Sequence, residues 1–262
     1  FRSQHAFIYG ARGSGKTSLA RAVGDFADQN GWMAFYASST SGLPLAELFE
    51  PYFEDLARCG VTPAQKEVIQ LKSERSVYKI AMELSNRIKS PTLLIVDEFD
   101  QLDDDTKSDV ARLMKLLSDM RAPVQLLVAG ISDDTEEIFE THPSLKRHLL
   151  SVEVLPLKRQ RIELLITNGM RRANLKIHST ALRKLSLAAL GSPYHARLFS
   201  LSAAVIAAER ESEFVTKPHA SLGLRNAVVE WSHLNPVIAY KFSELRNEAD
   251  TRQRRALIAL GV

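Results

Sequence analysis

An α/β fold with a mostly parallel sheet sandwiched by helices, followed by an all-helical unit, is what this 262-residue sequence predicts. Three observations carry the prediction. Continuous apolar runs alternate with helix-period segments through residues 1–155. A glycine-rich stretch sits between the first apolar run and the first helical segment. After Pro156 the strand signals stop while helical periodicity continues. A βα rhythm of this kind folds with helices packed on both faces of a parallel sheet.

The elements follow in order. His5 to Tyr9 (HAFIY) is a short apolar run closed by glycine. Residues 16–28 have helical spacing, with Leu19, Val23 and Phe26 forming the apolar stripe. Residues 32–37 (WMAFYA) predict a second strand, and 45–58 and 73–89 predict amphipathic helices. In the latter, Val77, Ile80, Ala81, Leu84 and Ile88 face inward. The runs TLLIV at 92–96 and VQLLVA at 124–129 have the unbroken apolar character of strands buried on both faces. Residues 103–120 form the helix between them, and 151–155 a last strand. Helices over 159–172, 179–190, 193–210, 218–234 and 236–260 complete the second unit, with breaks at Asn174 and at Gly191-Ser192-Pro193. The predicted domains are therefore 1–155 and 156–262. The final residues can begin a further helical or winged-helix module.

Composition narrows the function classes. A single cysteine, Cys59, excludes a disulfide framework. It fits a reducing, cytoplasmic setting. No apolar run approaches the roughly 20 residues that span a bilayer, so no membrane role is expected. The chain begins with Phe1 rather than Met, which suggests a piece of a longer protein. Net charge is +3 but uneven. Residues 1–155 hold 17 Lys and Arg against 23 Asp and Glu, whereas 156–262 hold 17 against 8. The basic second half permits contact with DNA phosphates without requiring it.

Residues 10–17 read GARGSGKT and satisfy G-x-x-x-x-G-K-[ST]. An apolar strand precedes the loop and an amphipathic helix follows it, which is the context that makes the pattern a phosphate loop. Gly10, Gly13 and Gly15 let the backbone turn its N–H groups toward a phosphate. The helix N-terminus adds favourable partial charge. Lys16 would reach the β- and γ-phosphates and the Thr17 hydroxyl would ligate Mg²⁺. The expected nucleotide-binding set is Gly10, Ala11, Arg12, Gly13, Ser14, Gly15, Lys16, Thr17 and Ser18.

Residues 93–100 read LLIVDEFD, an apolar run that ends in adjacent carboxylates. Asp97 at the strand's carboxyl end would hold Mg²⁺ through water, and Glu98 would orient or deprotonate the attacking water. Open parallel sheets bind ligands at that end of their strands. Asp100, Asp103, Asp104 and Asp105 read as a solvated turn and helix cap rather than as further metal ligands.

With these two motifs the sequence resembles the AAA+ ATPases, whose Walker A and Walker B motifs correspond to GARGSGKT and LLIVDEFD. Within them it looks most like the origin-recognition, or initiator, type. The resemblance implies ATP and ADP as ligands, Mg²⁺ as cofactor, and ATP hydrolysis. It further implies a homo-oligomer that remodels or loads a macromolecular partner. The run VQLLVAGISDD at 124–134 resembles the sensor-1 strand, which places Asp133, beside Ser132, near the γ-phosphate. Asp133 serves equally as the N-cap of a helix over 134–140. HPSLKRHL at 142–149 falls where the family carries an arginine finger, making Arg147 the candidate; the other reading is a surface arginine on a short helix. GSPYHARLFS at 191–200 resembles the sensor-2 segment. Tyr194 stands at the usual arginine position and Arg197 one turn later, so Arg197 is the candidate. The same Gly-Ser-Pro resembles the Gly-x-Pro segment of STAND signalling ATPases. A nucleotide-dependent switch with slow turnover is the alternative reading.

Overall fold

A computed structural model describes residues 4–58, 77–131, 145–234, 236–237 and 240. The chain forms two compact units, residues 1–155 and 156–262.

The first unit alternates β1 (His5–Tyr9), α1 (Lys16–Gln29), β2 (Met33–Ser38), α2 (Leu45–Arg58), α3 (Val77–Arg87), β3 (Thr92–Asp97), α4 (Asp104–Asp119), β4 (Val124–Gly130) and β5 (Leu149–Glu153). The five strands form one sheet in the order β2-β3-β4-β1-β5, and every neighbouring pair is parallel. Alternation along β3 decides which layer each residue joins. Leu93 and Ile95 pack with Ile8, Leu127 and Ala129 beneath α1. Leu94 and Val96 pack with Phe7, Leu126 and Val128 against α2, α3 and α4. All six residues of β3 are buried, as a central strand covered on both faces requires. On α3 the inward set Val77, Ile80, Ala81 and Leu84, with Ile88 just past its end, is buried as the spacing predicts. Asp103 caps α4 by accepting the Thr106 N–H at 2.7 Å.

The sheet side of α1 differs from expectation. Leu19 is 36% exposed and Phe26 67%, whereas Ala20, Gly24 and Ala27 are buried. Close packing explains this: a Cβ on Gly24 would stand 2.9 Å from Ile95 Cδ1. The helix lies so near the strand that only small residues fit between them. The last strand also begins two residues earlier than the apolar pattern suggests. Its register is set by β1, running from His5↔Leu149 to Tyr9↔Glu153. None of its five residues is fully buried, so no apolar run marks it.

The second unit contains α5 (Arg159–Arg172), β6 (Lys176–Ile177), α6 (Ser179–Ala188), α7 (Pro193–Glu209), β7 (Phe214–Val215) and α8 (Lys217–Leu234). It is not wholly helical: β6 and β7 form a parallel pair. Two-residue strands leave no alternation to read. The helices break at Asn174 and Gly191 as expected, and both residues take left-handed conformations there, with φ of 56° and 80°. Ile162, Ile166, Met170, Ala181, Leu185, Ala196, Ala203 and Val215 form its core. Of the helix expected over 236–260, all but 236–237 and 240 lies outside the described residues.

Candidate nucleotide site

The loop between β1 and α1 has the backbone that its glycines foreshadow. Gly10, Gly13 and Gly15 have φ of 150°, 77° and 103°. A Cβ on Gly10 would meet the Val154 carbonyl oxygen at 2.7 Å, so both conformation and space demand glycine there. Gly15 is the N-cap of α1, with Lys16, Thr17 and Ser18 in its first turn. Ala11, Arg12, Thr17 and Ser18 are exposed, whereas Ser14 is buried. The Ser14 hydroxyl has no hydrogen-bond partner among the described residues. Lys16 Nζ donates to the carbonyl oxygens of Gly10 at 2.9 Å and Ala11 at 3.1 Å, lying across its own loop. Burial lowers its pKa, while Asp100 and Asp97 pull it back up. An ammonium over left-handed glycines, a helix N-terminus and an orphaned hydroxyl together fit a polyphosphate.

The carboxylates stand at the same edge of the sheet. Asp97 ends β3 and is 3% exposed. Its Oδ1 accepts the Glu98 N–H at 2.9 Å and its Oδ2 accepts the Tyr36 hydroxyl. Glu98 is exposed and takes φ 54°, a left-handed conformation rare for a residue with a side chain. Phe99, fully buried next to it, anchors the turn in the core. Such strain persists where surrounding packing over-determines it and gathers at working sites. Among the described residues no three His, Cys, Asp or Glu side chains converge as a metal cage. The Thr17 hydroxyl and the Asp97 carboxylate are oxygen donors of the kind that could hold a Mg²⁺, which commonly keeps phosphate and water among its ligands.

Several residues of the site escape sequence reading. β2 lies beside β3 with Ser38 opposite Asp97, so Tyr36 and Ser38 project from one face toward the carboxylates. The Ser38 hydroxyl donates to Glu98 Oε2 at 3.2 Å. The Arg21 guanidinium, from α1, stands 4.1 Å from the centre of the Tyr36 ring. Burial, together with the bond to Asp97, pushes the Tyr36 pKa up to about 12. Asp100 is not the solvated turn residue expected: its Oδ1 accepts the Ile131 N–H at 3.1 Å, tying the end of β4 to the turn after β3. Gly130 allows this approach, since a Cβ there would lie 3.2 Å from Asp100. Strand alternation within MAFYAS is the signal that could have found Tyr36 and Ser38, given the neighbouring strand.

Asp133 lies outside the described residues. Arg197 is exposed on α7 in the second unit. Arg147 is exposed in the short 3₁₀ turn Leu145–His148, immediately before β5. That is the opposite edge of the sheet. The five residues of β1 place it roughly 17 Å from the phosphate loop at ~3.3 Å per residue. There it lines a cavity of about 760 Å³ with Trp32, Lys89, Arg121 and His148.

A sequence-family profile described as Novel STAND NTPase 1 matches residues 1–215. No curated protein sequence matches the chain. Solved structures do. The Cdc6p structure from Pyrobaculum aerophilum is 13% identical with TM-score 0.64, over 86% of this chain and 62% of that one. The Aeropyrum pernix ORC2 protein, in ADPNP-ADP complexes, is 13% identical with TM-score 0.60, over 98% of this chain and 80% of that one. The Thermotoga maritima RuvB Holliday junction branch migration motor is 12% identical with TM-score 0.56, over 85% of this chain. The chain spans 61% of the length of that RuvB structure. These likenesses, at 12–13% identity, establish the fold alone: the chain folds as the Cdc6p, ORC2 and RuvB structures do over the stretches they share.

Proposed function

The chain belongs to the Novel STAND NTPase 1 family, a group of P-loop NTPases, and from that premise we propose that it binds ATP with Mg²⁺ and hydrolyses it. Bound nucleotide then sets its assembly state and its hold on a macromolecular partner. One observation carries the reading: Lys16, lying across a left-handed glycine loop, shares one sheet edge with the carboxylate pair Asp97-Glu98. The loop N–H groups and Lys16 bind the β- and γ-phosphates. Thr17 and Asp97 would hold the cation, which would supply charge neutralisation at the phosphoryl oxygens. Glu98, exposed at the end of β3, orients a water and takes its proton. The Ser38 hydroxyl donates to Glu98 Oε2, which leaves Oε1 and further lone pairs able to accept the water's proton.

The switch reading gains from the family match, since STAND is the family. Assembly is supported by the position of Arg147. It stands too far along β1 to serve its own phosphate loop, so its guanidinium would serve the γ-phosphate of a second copy. A head-to-tail contact of that kind closes a ring or extends as a helix. The test uses Glu98→Gln, which keeps size and removes the base. It should bind ATP as the wild type does while releasing phosphate at least about a hundred-fold more slowly. Wild-type turnover in Glu98→Gln would remove Glu98 from this role. Solution mass with ADP and with a slowly hydrolysed ATP analogue reads the assembly directly.

A further inference from the structure

We infer that Tyr36 is a positioning residue for Mg²⁺ at the nucleotide site, its hydroxyl orienting Asp97 while its ring ties that carboxylate to the helix bearing Thr17. The inference rests on the nucleotide reading above. Asp97 is almost wholly buried, and among the described residues each of its oxygens has one protein donor: Glu98 N–H on Oδ1 and the Tyr36 hydroxyl on Oδ2. A carboxylate has about four lone-pair sites, so each oxygen keeps one for a metal-bound water. The carboxylate torsion of aspartate is intrinsically broad. Two donors on opposite oxygens define it. Removing the hydroxyl leaves Oδ2 at a buried position with neither donor nor fixed direction.

The other end of the tyrosine matters equally. Arg21 stacks its guanidinium on the ring. It lies four residues after Thr17 on α1, so the two share one helix face. Arg21 and Tyr36 thus connect the two proposed cation ligands, one on α1 and one on β3, through a strand that carries no ligand itself. Partners of metal ligands act in this way by fixing orientation and basicity.

Tyr36→Phe tests this cleanly, because the ring packing and the Arg21 stack survive and only the hydroxyl goes. A fluorescent, slowly hydrolysed ATP analogue is titrated in EDTA and then across Mg²⁺ concentrations; bound Mn²⁺ is counted by paramagnetic resonance. In EDTA the variant should bind the analogue as the wild type does. Its Mg²⁺ midpoint should rise at least about ten-fold, with a parallel loss of Mn²⁺. Arg21→Ala should raise the midpoint about two- to five-fold and Arg21→Lys less, since a cation over the ring is retained. An unchanged midpoint in Tyr36→Phe, or an equal loss of affinity in EDTA, overturns the inference; the latter would make Tyr36 a prop of the loop. A wild type that binds the analogue with no Mg²⁺ effect also overturns it while sparing nucleotide binding. A wild type that binds no analogue overturns the nucleotide reading and this inference with it.

Discussion

Acidification should destabilise the first unit through His5. This residue opens β1, five positions before the phosphate loop, and is fully buried. Its Nδ1 accepts the Leu126 N–H at 2.9 Å, which leaves Nε2 to donate to the Met114 carbonyl oxygen at 2.7 Å. The neutral ring thus bridges β1, β4 and α4, and a second proton has nowhere to go without breaking the bond from Leu126. Burial pushes the pKa down to about 4; the Met114 bond opposes this and the charge of His148 adds to it. The unfolded ring titrates near 6.5, so between about pH 6.5 and 4 the unfolded chain binds the extra proton and the folded chain does not. Stability contributed by neutral His5 is complete above pH 6.5 and is lost as pH falls to 4. Some 2.5 units at 1.36 kcal/mol each give a ceiling of about 3 kcal/mol. His5→Gln can donate one bond and accept the other but cannot titrate. Urea unfolding is followed by Trp32 fluorescence in a Trp231→Phe background, from pH 7 to 4. The wild type should lose up to about 3 kcal/mol more than His5→Gln across that window. Parallel declines would refute the argument, because every other titrating group is common to both chains.

Gly10→Ala should destroy nucleotide binding and cost about 1–3 kcal/mol of stability from backbone strain alone, before the clash with Val154; calorimetry and thermal unfolding read the two effects. Arg147→Ala should bind ATP normally and hydrolyse it poorly, and mixing it with Glu98→Gln should restore activity by joining an intact arginine to an intact glutamate across an interface. No rescue, with activity per mole independent of concentration, would remove the second-copy role of Arg147. The second unit, with 17 Lys and Arg against 8 Asp and Glu, should bind arbitrary duplex DNA with affinity that falls steeply with salt; anisotropy showing no binding at low salt would end that proposal.

Chemistry confined to contiguous residues was legible from the chain alone. Gly10 to Thr17 needs only its own backbone to form a phosphate loop, and Asp97-Glu98 needs only a strand end, so both were readable. Tyr36, Ser38 and Asp100 were not, because each acquires its role from a neighbour in the sheet. The order β2-β3-β4 is a tertiary fact that no local period encodes. The buried face of α1 was misjudged for a related reason. Hydrophobic periodicity selects the largest apolar residues, Leu19 and Phe26, but the close approach of Ile95 selects the smallest, Gly24 and Ala20. In the second unit the helical period was strong enough to locate α5 over residues 159–172, while β6 and β7 were too short to leave a pattern.

Nucleotide affinity of Lys16→Ala tests the central claim most directly. The ammonium bridges the Gly10 and Ala11 carbonyl oxygens of the loop and would place its positive charge against a bound phosphate. Charge-assisted hydrogen bonds contribute about 1.5–3 kcal/mol, so calorimetry with a slowly hydrolysed ATP analogue and Mg²⁺ should show affinity falling about ten- to a hundred-fold, with the fold itself intact by circular dichroism. Equal affinity in wild type and Lys16→Ala would contradict the site at its core.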